Sequence, residues 1–321
     1  MENGLQVKRL KGYSHLSPAT TYLSSPLGMA EGVFVSFIIP YYNVSIPLLH
    51  ECVDSIVCLD VPKEIIIVND GCDVDLADFN DTCTIYKIEH GGLALARNYA
   101  LDRANGKYVQ FVDADDKLIS QNYQTIIEVA EKSEPDIFYF NFTSNDRKQT
   151  ETLEYKTTDG ISFMKSRNIH GSACGYMFSR SLLGELRFTN GIFHEDEEFT
   201  PQLMLKANTL MHSDINAYYY RKSQQSIMTT RNEEHITKRL NDFLFVLLNL
   251  NDKRESLKDG KDSLQRRISQ LSMDYLYNII KLGRRNELKS RIQDLKQNNL
   301  YPLPLRHYTW KYYLAALITR I

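Results

Sequence analysis

The sequence predicts an α/β fold in which helices cover both faces of a largely parallel sheet. From Val33 onward, apolar runs rich in β-branched and aromatic residues alternate with segments of helical period. The runs are apolar throughout, which is typical of strands buried on both faces. A content of 43% hydrophobic and 24% charged residues in 321 is that of a globular chain, long enough for one large core and an appendage.

The predicted elements begin as a βαβ unit. A strand over Val33–Ile39 precedes a helix over Ile46–Val57, and a second strand covers Glu64–Val68. Strands and helices then alternate over Thr84–Ile88, Leu93–Ala104, Tyr108–Val112, Ser120–Lys132 and Asp136–Phe140.

Three regions are expected along the chain. Residues 1–32 are polar and turn-rich and are predicted to be an extension, residues 33–230 the main domain, and residues 231–321 a helical C-terminal region. The C-terminal region carries a net charge of +8, whereas residues 1–230 carry −10. A basic tail on an acidic body indicates an anionic partner, either a membrane or a nucleic acid.

Several features indicate a cytoplasmic location. The five cysteines form no C-x-x-C pair, and their odd number argues against a closed disulfide framework. Near the N-terminus there is no apolar core of a signal peptide, and no window approaches the roughly 18 apolar residues of a membrane span. The expected location is the cytoplasm, either free or on the inner face of the plasma membrane.

Polar segments follow three of the predicted strands. These are Pro40–Asn43, Asn69–Gly71 and Asp113–Asp116. In open sheets of this kind, ligands bind at the carboxyl ends of the strands. We therefore expect the three segments to share one cleft.

The segment Asp113-Ala114-Asp115-Asp116 supports two interpretations. Alternate carboxylates at a strand end offer hard oxygen ligands to Mg²⁺ or Mn²⁺. The same aspartates also suit a turn that caps the helix beginning near Ser120. From these residues alone, both interpretations remain open.

Two further segments carry candidate chemistry. The acidic run His194–Glu198 suits the first turn of a helix, but it also contains a candidate carboxylate base, Asp196. Arg97 lies about one turn into the helix that follows Gly91-Gly92. Its guanidinium suits a donor phosphate or base, and it equally suits a surface ion pair.

Taken in order, five motifs resemble those of family 2 glycosyltransferases. They are Val35–Asn43 (VSFIIPYYN), Glu64–Gly71 (EIIIVNDG), Gly92–Asn98 (GLALARN), Gly106–Asp116 (GKYVQFVDADD) and Glu195-Asp196. The resemblance covers about residues 33–230. It implies a GT-A fold, with a Rossmann-like mixed sheet, and a bacterial enzyme of cell-surface polysaccharide synthesis.

Carried onto the matching positions, the resemblance implies a role for each motif. Pro40, Tyr42 and Asp70 would form the nucleotide pocket, and Arg97 would also contact the donor. Asp113 would meet the ribose or the metal, Asp115 would bind Mn²⁺ or Mg²⁺, and Asp196 would be the base. The expected reaction is inverting transfer of one sugar, with UDP the expected carrier, to a glycan or lipid-linked acceptor.

The sequence departs from the family pattern at three positions. Asn69 and Cys72 flank Asp70 where Asp and Ser are commoner, and His90 stands where Asn is frequent. The Q/R-x-x-R-W signature of processive synthases is missing, which favours single-sugar transfer. The segment Tyr218–Arg221, followed by Ser226-Ile227-Met228, resembles the end of this domain in related enzymes, where Arg221 would steady the diphosphate. A tyrosine-rich edge strand fits the same residues.

The C-terminal region is expected to be helical, with packing faces formed by residues such as Phe243, Leu247, Leu271, Tyr275 and Ile279. Its last segment places aromatic and apolar groups at helical spacing beside basic ones: Trp310, Tyr313, Leu314, Leu317, Ile318 and Ile321, with Arg306, Lys311 and Arg320. This end suits either a membrane interface or docking on the body.

Two other functions compete with the enzyme. A non-catalytic, nucleotide-sugar-binding partner fits the departures around Asp70, but Asp113, Asp115 and Asp196 are all retained. A nucleic-acid-binding module would rest on the basic tail alone and lacks any recognised motif, so no nucleic acid partner is expected.

Overall fold

A computed structural model describes residues 32–145, 152–222 and 232–301. The expected extension, Ser226-Ile227-Met228 and the amphipathic segment from Arg306 to Ile321 lie outside the described residues. The boundary expected between residues 230 and 231 also lies outside them and remains a prediction.

The first half of the sheet is parallel. Its strands are β1 (Val35–Tyr41), β2 (Lys63–Asp70), β3 (Thr84–Ile88) and β4 (Tyr108–Phe111), with β1 paired to both β2 and β4, and β2 to β3. Helices α1 (Ile46–Val57) and α2 (Leu93–Leu101) connect them. All seven residues of β1 are buried, as its continuous apolar run predicts.

The second half of the sheet mixes directions, as the GT-A resemblance implies. Its elements are β5 (Lys117–Leu118), α3 (Ser120–Ser133), β6 (Ile137–Thr143), β7 (Lys156–Thr158), α4 (Gly160–Ser166), β8 (Tyr176–Ser179), α5 (Glu195–Met204) and β9 (Leu210–Tyr219). Strand β8 runs antiparallel to β4 and β6, while β6 runs parallel to β9. The strand order is β3-β2-β1-β4-β8-β6-β9-β5, and β7 pairs with β9.

A polar network fixes the register at the amino ends of β1, β2 and β4. Glu64 Oε1 accepts from Ser36 Oγ at 2.5 Å and from the Asn105 N–H at 2.6 Å, and the Gly106 N–H donates to Ser36 Oγ at 2.8 Å. A Cβ at residue 106 would lie 2.5 Å from Ser36 N, so glycine permits this close approach. The opposite, carboxyl ends of the three strands are thereby aligned.

Three helices form the described C-terminal region: α6 (Glu233–Ser256), α7 (Lys261–Lys281) and α8 (Leu288–Gln297). They enclose a second apolar cluster, separate from the sheet core, and the predicted packing residues Phe243, Leu247, Leu271, Tyr275 and Ile279 are buried in it. Helix α6 contacts α5, and α7 contacts α4. None of the helices within the described ranges combines the length and the apolar composition that a membrane span requires.

Candidate active site

The carboxyl ends of β1, β2 and β4 meet at one edge of the sheet. Tyr41 pairs with Asn69 across β1 and β2, and the Val112 N–H, just past β4, donates to the Ile38 carbonyl at 2.9 Å. The polar segments that follow these strands therefore open onto the same edge, as expected from the sequence.

Asp70, at the end of β2, is buried, and its carboxylate holds the turn that leads into α2. Oδ1 accepts from the Gly91 N–H at 2.8 Å, Oδ2 accepts from the Gly92 N–H at 3.0 Å, and His90 Nδ1 lies 2.9 Å from Oδ2. Gly71 has a φ of +82°, and a Cβ there would lie 2.8 Å from His90 N. Asp70 thus shapes this corner of the cleft, and its contact with a nucleobase remains a prediction.

Tyr42 and His90 form an aromatic pair beside Asp70. Their ring centroids are 4.4 Å apart with an interplanar angle of 17°, so the rings are stacked. Tyr42 is 47% exposed, which leaves its ring open to a ligand, whereas Pro40 is buried within β1. An exposed aromatic surface of this kind suits a planar base.

The unusual residues Asn69 and Cys72 close the turn after β2 together. Asn69 Nδ2 donates to the Cys72 carbonyl at 3.0 Å, and Asn69 Oδ1 accepts from the Cys72 N–H at 2.8 Å. The Asn43 N–H points at Cys72 Sγ, 3.2 Å away. The amide uses both its donor and its acceptor here, so the departures from the family pattern form a satisfied turn.

Arg97 joins the two acidic segments of the site. Its side chain is 3% exposed, with Nη2 3.2 Å from Asp113 Oδ1 and Nη1 2.9 Å from Glu195 Oε1. The rings of Phe111 and Phe188 lie 5.6 Å and 5.3 Å from Arg97 Cζ. Burial lowers the pKa of Arg97, but the two carboxylates outweigh burial and raise it above its ordinary value. Arg97 is therefore an internal bridge, and its contact with the donor remains a prediction.

The acidic loop 113–116 concentrates negative charge. Asp116 is buried, where it accepts from Tyr218 Oη at 2.9 Å and from the Arg221 N–H at 2.7 Å. Burial and Asp113 raise the pKa of Asp116 to about 8, and the same two causes raise the pKa of Asp115. Burial and mutual repulsion thus disfavour the ionised form of both carboxylates.

These residues fit a divalent cation. Asp113 is 37% exposed, and no other described residue hydrogen-bonds the Asp115 carboxylate, so both offer free oxygens. The described residues contain no preformed group of three or more His, Cys, Asp or Glu side chains placed to hold a metal. Mg²⁺ is typically bound by one or two carboxylates together with substrate phosphates and waters, and two aspartates meet that pattern.

Asp196 lies in the first turn of α5. That helix begins after His194, whose φ is +66°, and Asp196 Oδ1 accepts from the Glu197 N–H at 2.8 Å. Burial raises the pKa of Asp196, while the nearby positive charge of Arg97 and the His170 imidazole act to lower it. A half-buried carboxylate with a raised pKa has the properties of a general base.

Sequence reasoning missed several contacts of this site. Glu195 binds Arg97, Tyr218 Oη contacts both the Asp113 N–H and Asp116, and Arg267 of α7 pairs with Glu197. Arg267 lies in the region predicted to be helical, where only apolar residues were predicted to pack. Each partner is at least 70 residues away along the chain, so no local pattern signals the contact.

Comparisons with known proteins agree with this architecture. Residues 36–187 match the family described as Glycosyl transferase family 2. The chain is 31% identical over 215 residues to the uncharacterized glycosyltransferase EpsJ of Bacillus subtilis, a match that covers 60% of this chain and 62% of EpsJ. It is 26% identical over 218 residues to poly(ribitol-phosphate) beta-N-acetylglucosaminyltransferase TarS of Staphylococcus aureus, covering 63% of this chain and 36% of TarS.

Solved structures share the fold. A fragment of TarS in complex with UDP-GlcNAc superposes with a TM-score of 0.65 at 20% identity, covering 84% of this chain and 82% of the fragment. The mannosyltransferase PcManGT of Pyrobaculum calidifontis, in complex with GDP-Man and Mn²⁺, superposes with a TM-score of 0.51 at 15% identity, covering 90% of this chain and 86% of PcManGT. Together with the five ordered motifs and the mixed sheet, these similarities show a GT-A fold and a family 2 glycosyltransferase domain over residues 36–187.

Proposed function

We propose that the chain is a metal-dependent, inverting glycosyltransferase that moves one sugar from a UDP-sugar to a glycan or lipid-linked glycan. The observation that carries this proposal is the bridge made by Arg97. One guanidinium binds Asp113 of the acidic loop at 3.2 Å and Glu195 of α5 at 2.9 Å. Arg97 thereby links the candidate metal-binding loop to the helix that carries the candidate base, Asp196.

The donor would bind along the carboxyl edge of the sheet. The nucleobase of the donor would stack on the exposed Tyr42 ring beside His90, in the corner shaped by Asp70. TarS in complex with UDP-GlcNAc and PcManGT in complex with GDP-Man support a nucleotide-sugar donor. When bound, Mn²⁺ or Mg²⁺ held by Asp113 and Asp115 would neutralise charge on the departing diphosphate.

Asp196 would perform the proton transfer. Its carboxylate would accept the proton of the acceptor hydroxyl as that oxygen forms a bond to the anomeric carbon. The bond from the same carbon to the diphosphate oxygen breaks, and the electron pair leaves with the nucleotide. A single in-line displacement inverts the anomeric configuration.

The proposed acceptor is a polymeric or lipid-linked glycan. The name of TarS gives a poly(ribitol phosphate) acceptor, which supports a polymeric or lipid-linked acceptor for this chain. A lipid-linked acceptor would bring the enzyme to the cytoplasmic face of the membrane, where the basic C-terminal region would meet anionic lipid.

Nucleotide release from a panel of UDP- and GDP-sugars tests the proposal, with Mn²⁺, Mg²⁺ or EDTA present and a mixture of glycan acceptors. Wild type should release either UDP or GDP, but not both, in a metal-dependent manner. Asp196→Asn should reduce the rate of release by about 100-fold or more. Asp60→Asn, which neutralises an exposed aspartate just before the amino end of β2, at the opposite edge of the sheet from the cleft, is the matched control and should keep the wild-type rate. Metal-dependent donor binding without turnover in wild type would instead favour the non-catalytic binding partner.

A further inference from the structure

Helices of the C-terminal region contact the first turn of α5, which carries Asp196. On α6, Asp242 Oδ2 accepts from the Phe193 N–H at 2.9 Å, and Phe243 stacks on the His194 ring with centroids 4.4 Å apart. These two contacts hold the residues that lead into the helix.

Two further contacts hold the helix itself. Asn249 Nδ2 of α6 donates to Glu198 Oε1 at 2.9 Å, and Arg267 of α7 forms an ion pair with Glu197. Glu197 is the residue that follows Asp196 and donates its N–H to the Asp196 carboxylate. The neighbour of the candidate base is thus attached to a separate helical layer.

Arg267 is placed for this contact with little freedom. Its side chain is 2% exposed, and its Nη1 donates to the Ile169 carbonyl at 2.7 Å. Gln270, three residues on, donates to the same carbonyl at 3.1 Å. The guanidinium is therefore fixed between Ile169 and Glu197 rather than extended into solvent.

The chain also leaves room for the ion pair. Gly171 has no positive φ, so its backbone does not require glycine. A Cβ at residue 171 would nevertheless overlap Glu197 Oε2 and lie 2.6 Å from Arg267 Nη2. The ion pair therefore occupies the space that a side chain at residue 171 would take.

A buried ion pair adds little stability, because desolvation offsets much of the attraction. It does restrict geometry, because a buried guanidinium donates to its carboxylate only within a narrow range of positions. The rate of a base-catalysed step falls steeply when the base is displaced by about 1 Å from the reacting hydroxyl. The contact is therefore well suited to fixing the helix turn that carries the base.

We propose that Arg267 is a positioning residue that, through Glu197, holds Asp196 at the acceptor side of the cleft. This proposal rests on the proposed function, in which Asp196 is the base. The C-terminal helices would then contribute to catalysis, although the segments that line the cleft come from the ends of β1, β2 and β4 and not from these helices.

The test compares Arg267→Gln, Glu197→Gln and the double variant with wild type, by kcat in nucleotide release and by the Kd for UDP with Mn²⁺. Arg267→Gln should lower kcat roughly 10- to 100-fold and leave the UDP Kd within about 2-fold. Glu197→Gln should act similarly, and the double variant should be no slower than the worse single variant, because both remove one contact. Arg267→Lys, which keeps the charge, should recover part of kcat.

Arg266→Gln is the matched control. Arg266 is the preceding residue of α7 and donates to the Lys165 carbonyl at 3.0 Å and to Asn168 Oδ1 at 3.4 Å, so its variant should keep the wild-type kcat. Thermal unfolding of each variant reports the folded fraction, and kcat is expressed per folded molecule. A wild-type kcat in Arg267→Gln, or equal losses in kcat and UDP affinity, would overturn the proposal.

Asp196→Asn, assayed in parallel, distinguishes failure of the base assignment from failure of the positioning role. If Asp196→Asn loses turnover while Arg267→Gln keeps it, only the positioning role is refuted. If Asp196→Asn itself keeps turnover, the base assignment fails and the positioning role fails with it.

Discussion

Replacing Arg97 by methionine should destabilise the protein, because it strands a buried carboxylate. Glu195 has a side chain that is 10% exposed and loses its 2.9 Å partner, a change that costs about 3–5 kcal/mol for buried pairs. Asp113 is 37% exposed, so solvent screens its loss, which adds no more than about 1 kcal/mol. Methionine keeps the contact with the Phe111 and Phe188 rings, so we expect a net cost near 3–4 kcal/mol.

Urea unfolding at neutral pH measures this cost. The double variant Arg97→Met/Glu195→Gln should regain about 1–2 kcal/mol relative to Arg97→Met, because the stranded charge is removed. Lys87→Met, which breaks an exposed ion pair with Asp73, is the control and should leave the midpoint unchanged. A loss below about 1 kcal/mol for Arg97→Met, with an additive double variant, would refute the buried-bridge reasoning.

Three further predictions concern the surroundings of the site. Burial lowers the pKa of His194 to about 4, so the unfolded chain binds a proton that the folded chain does not as the pH falls below 6.5. The free energy of unfolding of wild type should therefore drop by about 1–2 kcal/mol more than that of His194→Asn between pH 7 and pH 5, measured by urea titration; equal drops would contradict the burial of the ring. Gly171→Ala should cost about 1–3 kcal/mol in the same assay and reduce kcat, since the new Cβ displaces Glu197; unchanged unfolding and kcat would argue against the packed ion pair. Tyr218→Phe should cost about 1–3 kcal/mol in thermal unfolding, since Asp116 loses a buried donor; a wild-type Tm would show that Asp116 does not depend on it.

Local pattern is sufficient for the elements with long, continuous signals. The ends of α1 and β3 agree with the predicted spans, and β1 differs by two residues at each end. Strands β5 and β7 escaped prediction because two or three residues show no periodicity, and both owe their existence to pairing with β9. Strand direction in the second half depends on long-range pairing in the same way.

The residues of the site also fall into a predictable and an unpredictable group. Residues after Ile39, Val68 and Val112 could be predicted to meet, because parallel strands end at a common edge. Their partners could not, because the Arg97–Glu195 contact spans 98 positions and the Arg267–Glu197 contact spans 70. Motif resemblance predicts which groups touch the substrate, whereas the contacts that hold those groups are set by packing between distant elements.

Asp115 and Asp196 have different proposed tasks, and UDP binding by calorimetry, with nucleotide release measured on the same preparations, tests this difference most directly. Asp115→Asn should lose both the Mn²⁺-dependent part of UDP binding and turnover. Asp196→Asn should bind UDP with wild-type affinity in Mn²⁺ and lose turnover. Wild-type turnover in either variant, or Mn²⁺-dependent UDP binding that survives in Asp115→Asn, would contradict the account.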